Sequence, residues 1–126
     1  MIRPTNAELA ILGVLWQRGP STVRDVHDAL RPARSEAVGY TTILKLLQIM
    51  AEKELVTRDT RARTHVYAAA VSEATTRGHL LSDLVERAFG GSSLALVLQA
   101  LSTTRATPAE LDQIRRLLDK GNGDSR

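Results

Sequence analysis

The order of local signals along the first 71 residues constrains this chain most: three amphipathic helical segments come first, followed by two short β-branched runs around a polar tip. Thr5-Asn6-Ala7-Glu8 opens the first segment as a capping box. The threonine hydroxyl accepts from the backbone N–H three residues on, and the glutamate accepts from the threonine N–H. Leu9, Ile11, Leu12, Val14, Leu15 and Trp16 make the following helix apolar around much of its circumference, and Gly19-Pro20 stops it. Such a helix is expected to be buried on more than one side.

Thr22-Val23-Arg24-Asp25 is a second cap, and Val23, Val26, His27 and Leu30 follow at i, i+3, i+4, i+7 spacing, so a short second helix is expected to end near Arg31-Pro32. The stretch from Arg31 to Gly39 is a polar connection. A third helix begins near Tyr40 or Thr41, with Ile43, Leu46, Leu47 and Met50 on one face and Thr41, Thr42, Lys45, Gln48 and Glu52 mostly elsewhere, and ends near Lys53-Glu54. Leu55 to Asp59 and Thr64 to Ala68 then flank the tip Thr60-Arg61-Ala62-Arg63 as a hairpin. With no Asn-Gly or Asp-Gly pair, its turn type stays open.

Helix, helix, helix, hairpin within about 70 residues is the order of a winged helix domain, a helix-turn-helix variant whose second helix of the pair enters the major groove. The expected fold is therefore mostly α with a small β-hairpin wing. Residues 1–71 form the winged helix domain, and 72–126 form a helical region with a frayed tail. The apolar face of helix three must pack on helices one and two, which leaves Tyr40, Thr41, Thr42, Lys45 and Gln48 as candidates to meet double-stranded promoter DNA. Hydroxyls exchange hydrogen bonds with base edges and phosphates, a threonine methyl packs on the thymine methyl, Gln pairs with adenine, and Lys supplies charge. Arg58, Arg61 and Arg63 on the wing are candidates to lie along phosphates, where they position the domain rather than specify sequence. Any exposed helix face is polar, so these residue types alone would suit a solvated surface; the order of elements is what favours DNA. The rival of another class is a winged-helix protein-interaction module that does not bind DNA.

Charge is distributed in keeping with the DNA reading. The net charge is +3, and the first 71 residues hold ten Lys and Arg against seven Asp and Glu, so the excess lies entirely there while the remainder is neutral. The chain has no cysteine, which excludes disulfides, thiolate metal sites and a cysteine nucleophile. Neither a signal peptide nor a membrane-spanning run is visible, and a cytoplasmic protein without membrane insertion is expected. No catalytic grouping, phosphate loop, cofactor motif or metal motif is apparent, so no enzyme activity, cofactor or metal is expected. His27 is expected to be a satisfied core histidine, His65 and His79 lack the spacing of metal ligands, and Trp16 is expected in the core.

After Val71, Ser72 and Glu73 open a helix with a stripe of Gly78, Leu81, Leu84, Val85 and Ala88, broken at Gly90-Gly91. Leu94, Val97, Leu98 and Leu101 mark a further short helix. Thr107-Pro108-Ala109-Glu110 caps a last one through Leu111, Ile114 and Leu118, expected to end before Gly121. Three short helices over about 50 residues bury too little surface to be stable alone. A second copy of the chain is the economical partner, paired through Leu81, Leu84, Val85, Ala88, Leu94, Leu98 and Leu101. Two-fold symmetry would then set two recognition helices one DNA turn apart, matching a palindromic operator. The other possibility is that these helices fold back on the winged domain.

Four segments resemble the BlaI/MecI penicillinase-repressor family: Glu8-Leu9-Ala10-Ile11-Leu12-Gly13-Val14-Leu15-Trp16, Thr22-Val23-Arg24-Asp25-Val26-His27-Asp28-Ala29-Leu30, Tyr40-Thr41-Thr42-Ile43 and Arg63-Thr64-His65-Val66-Tyr67. The likeness covers about residues 5–70, and beyond residue 71 only the helical layout agrees. It implies a homodimeric repressor of β-lactamase or other cell-envelope stress genes, with a link to antibiotic resistance. It also implies, as partner, a membrane sensor-protease or its downstream protease that cuts the repressor at an Asn-Phe bond. This chain contains no Asn-Phe pair and none of the C-terminal cysteine pairs of copper-responsive relatives. It also carries Glu54 where a glycine often ends helix three, and Ile49 where a polar or basic residue is frequent.

Overall fold

The computed structural model describes residues 3–31 and 39–124. Its elements run α1 (Asn6–Arg18), α2 (Val23–Leu30), α3 (Tyr40–Glu52), β1 (Val56–Asp59), β2 (Val66–Ala69), α4 (Glu73–Ala88), α5 (Ser93–Thr103) and α6 (Pro108–Asp124). This is the mostly helical winged helix-turn-helix architecture that the sequence implies, with β1 and β2 as an antiparallel wing. The chain divides into two compact units, Met1–Leu81 and Ser82–Arg126, and α4 begins in the first and ends in the second. Most of the expected connection after α2, residues 32–38, lies outside the described residues.

The caps form where the residue spacing calls for them. Thr5 Oγ1 accepts from the Glu8 N–H at 3.2 Å while Glu8 Oε1 accepts from the Thr5 N–H at 2.9 Å. Thr22 and Asp25 repeat this at α2, and Thr107 and Glu110 at α6. At the other end of α1, Gly19 adopts a φ of 87°, a left-handed conformation that glycine enters without steric cost. The turn carries Ser21 to the wing, where it exchanges two backbone hydrogen bonds with Tyr67, at 2.8 and 2.9 Å.

One core serves the first unit. Ile11, Leu12 and Leu15 of α1 meet Val23, Val26 and Leu30 of α2 and Ile43, Leu47 and Met50 of α3, closed by Leu55, Val56 and Tyr67 from the wing side. The wing is in register Val56↔Ala69, Thr57↔Ala68, Arg58↔Tyr67 and Asp59↔Val66. Trp16 packs partly buried against this core and donates its indole N–H to the Val71 carbonyl at 2.9 Å. Glu8, 1% exposed, accepts from the Lys53 ammonium at 2.9 and 3.1 Å, which ties the start of α1 to the end of α3.

Helix α3 ends in a Schellman turn: the Leu55 N–H bonds the Met50 carbonyl and the Glu54 N–H bonds the Ala51 carbonyl, with Leu55 and Met50 both buried. Glu54 holds the left-handed position at φ 63°, among the described residues the one non-glycine with positive φ. Two expectations need correction. Helix α6 does not stop before Gly121 but runs to Asp124, because a glycine weakens a helix without by itself ending it. His27 is not a core residue: its side chain is 19% exposed at the rim of α2, with Nδ1 3.1 Å from Asp28 Oδ1.

Candidate nucleic-acid interface

Helix α3 divides by face. Ile43, Leu47 and Met50 are buried against α1 and α2, while Tyr40, Thr41, Thr42, Lys45 and Gln48 are all exposed. Ile49 is half-buried, which accounts for an apolar residue there. The helix opens on Gly39, which offers no side-chain cap. Gly39 accepts the N–H groups of Thr42 and Ile43 through its carbonyl, and among the described residues those of Tyr40 and Thr41 are left at the open, positive end of the helix dipole.

Tyr40, the first residue of α3, has neighbours that sequence reasoning did not reveal. The Arg24 guanidinium of α2 lies 5.4 Å from the centre of its ring, and the His27 ring lies 6.4 Å away at a tilt of 58°. Arg24 escaped notice because its position on α2 is an ordinary exposed one; only the packing of α2 on α3 brings it to Tyr40.

The wing places its three arginines differently. Arg58 stands exposed on β1 and lines a shallow groove with Ala51, Glu54 and Thr57, at the C-terminal end of α3. Thr41 and Thr42 lie at the other end of that helix, roughly 15 Å away at 1.5 Å rise per residue, so these residues are not gathered into one spot. Arg61 is engaged within the tip: its Nε and Nη2 donate to Asp59 Oδ1 and Oδ2 at 3.0 and 2.7 Å, and its backbone N–H donates to Oδ1 at 3.0 Å. The Arg61 guanidinium holds the Asp59 carboxyl below the usual carboxylate range, and the carboxylate raises the Arg61 value in turn. Arg63 is exposed at the tip.

On the C-terminal helices the apolar stripes face outward. Leu81 and Leu84 of α4 are exposed, Val85 is half-buried, and Ala88 is exposed. On α5, Leu94 is 68% exposed, Val97, Leu98 and Leu101 are exposed as well, and no residue of that helix is buried. Leu111, Leu117 and Leu118 of α6 extend the same pattern. No cluster of His, Cys, Asp and Glu able to hold a metal ion occurs among the described residues, where His65 and His79 are exposed. No single helix among them is long and apolar enough to cross a membrane.

Comparison with known proteins bears on this geometry. The family model described as penicillinase repressor matches residues 4–120. The transcriptional regulator BlaI of Mycobacterium tuberculosis, in two strains, is 33% identical over 129 aligned positions that take in 98% of this chain and 91% of the regulator. Among solved structures, a complex of hsRosR-S4 aligns with a TM-score of 0.52 at 15% identity, covering 97% of this chain and 92% of that one, a likeness of fold. A solution structure of monomeric Bacillus licheniformis BlaI with the blaP half-operator aligns with a TM-score of 0.48 at 20% identity, over 58% of this chain and 87% of that one.

Proposed function

This chain belongs to the penicillinase repressor family of transcriptional regulators, which are not enzymes, and on that premise we propose that it is a DNA-binding repressor that reads promoter DNA through α3. The observation that carries this reading is the two-faced helix α3: its apolar side is spent on the core, and its free side presents Thr41, Thr42, Lys45 and Gln48. Thr41 and Thr42 suit base edges near the open end of the helix, with Lys45 about one turn on and Gln48 about two. Arg58 and Arg63 of the wing suit phosphates, and Arg61 joins them only by giving up Asp59.

The protein acts as a homodimer on a palindromic operator, with residues 1–71 binding DNA and 72–126 pairing the copies. Outward stripes through Leu81, Leu84, Leu94, Leu98 and Leu101 support this, since leucines left in water by one copy are covered by a second. Val85 and Ala88 flank that surface. Its place of action is the cytoplasm, and its target genes are of the β-lactamase or cell-envelope stress class. Release by a sensor-protease or its downstream protease would have to cut at a bond other than Asn-Phe, a pair this sequence lacks.

Genome-wide recovery of DNA bound by the chain, repeated after β-lactam exposure, tests the proposal. The expected result is a small set of promoters sharing an inverted repeat, with occupancy falling on exposure. Recovery of no DNA above background would favour a protein-interaction module instead.

A further inference from the structure

The contact between Arg24 and Tyr40 adds a residue to the interface and changes the role of another. Resting on the DNA-binding reading above, we propose that Arg24 is a phosphate-binding residue and that Tyr40 is the platform that holds it, not a reader of bases. The guanidinium lies over the ring at 5.4 Å, within the range of cation–π attraction. A stacked guanidinium keeps its N–H edge free to donate, which is how arginine grips phosphate while resting on an aromatic face.

Among the described residues, the surrounding charges leave Arg24 available. Its nearest acidic neighbours in sequence are both occupied: Asp25 accepts from the Thr22 N–H at 3.1 Å, and Asp28 pairs with His27. No ion pair involving Arg24 is present among the described residues, and Arg24 itself is exposed. Its location agrees with the use. In helix-turn-helix docking the first helix of the pair crosses the phosphate backbone while the second enters the groove. Arg24 is on the former helix, α2, and rests on the first residue of the latter, α3, beside its uncapped N–H groups. Tyr40, 43% exposed, presents one face to Arg24 and has the His27 ring nearby, so its position is set from α2.

The test measures affinity for a recovered promoter duplex and for a scrambled duplex across a range of salt. It uses wild type, Arg24→Ala, Arg24→Lys, Tyr40→Phe, Tyr40→Ala and the double alanine variant, with thermal melts to verify folding. Arg24→Ala is expected to weaken both duplexes by the same factor, and that factor should shrink about threefold between about 50 and about 200 mM salt, as for one lost phosphate contact. Arg24→Lys should keep the wild-type salt slope, Tyr40→Phe should keep the wild-type ratio of affinities for the two duplexes, and Tyr40→Ala should add no further loss in the Arg24→Ala background. A loss in Tyr40→Phe confined to the promoter duplex, or an unchanged salt slope in Arg24→Ala, would overturn the assignment. Wild type that binds neither duplex would overturn the repressor reading itself, and the clamp with it.

Discussion

Three residues show how local chemistry sets stability and charge. Glu54 occupies a left-handed position that costs a side-chain-bearing residue about 1–2 kcal/mol, so Glu54→Gly is expected to stabilise the fold by about 1 kcal/mol, after the added chain entropy of glycine. Thermal or urea unfolding checks it, and a destabilised variant would mean that the carboxylate makes a compensating contact. Glu8 is a case of opposed effects. Burial raises its carboxyl, but the Thr5 N–H and the Lys53 ammonium together outweigh that and leave it below its ordinary 4.5. The folded carboxyl therefore stays ionised where the unfolded one has already taken up a proton. Its stabilisation is present above pH 4.5 and is lost as pH falls through the lower folded value. Glu8→Gln should flatten the acid limb of a stability-versus-pH curve measured by urea unfolding, and an unchanged limb would assign acid sensitivity to Asp25, Asp59 and Glu110, whose carboxyls are also lowered. On the wing, Asp59→Asn keeps an acceptor for the Arg61 N–H but frees the guanidinium. Tighter binding to every duplex, with a salt slope steeper by about 0.9, is expected. The same gain in an Arg61→Ala background would show that Asp59 acts only through its own charge.

At the level of elements, most boundaries were legible because short-range chemistry fixes them. Capping boxes at Thr5, Thr22 and Thr107 bond only to residues three positions on, and the expected helices start at those places. The amphipathic period of α3 marked Ile43, Leu47 and Met50 as its hidden side, which made the exposed side readable as well. What escaped were the contacts that depend on tertiary approach. Glu8 and Lys53 are 45 positions apart, the Ser21–Tyr67 bridge joins a turn to the wing, and Arg24 reaches Tyr40 across the helix-turn-helix. His27 sat on an apolar period yet lies at the rim, because the stripe it belongs to is wider than the surface α2 buries. The departure at Glu54, conversely, was visible only against the family resemblance, which sets a glycine there, and its positive φ gives the reason glycine suits that position.

For the whole molecule, the proposed division of work rests on how each half treats its apolar residues. The N-terminal unit has a closed core and a polar, exposed face on α3, whereas the C-terminal helices leave Leu81, Leu84, Leu94, Leu98 and Leu101 exposed. Pairing through those leucines predicts that Leu84→Glu sediments as a monomer or fails to fold, and a normal dimer would remove Leu84 from the interface. The central claim concerns α3, and the most direct measurement is the affinity of Thr42→Ala for a recovered promoter duplex set against its affinity for a scrambled one. A base contact predicts a loss of about 1–3 kcal/mol on the promoter duplex, with little change on the scrambled one. Equal affinity of variant and wild type for the promoter duplex would contradict the claim that this end of α3 reads the operator.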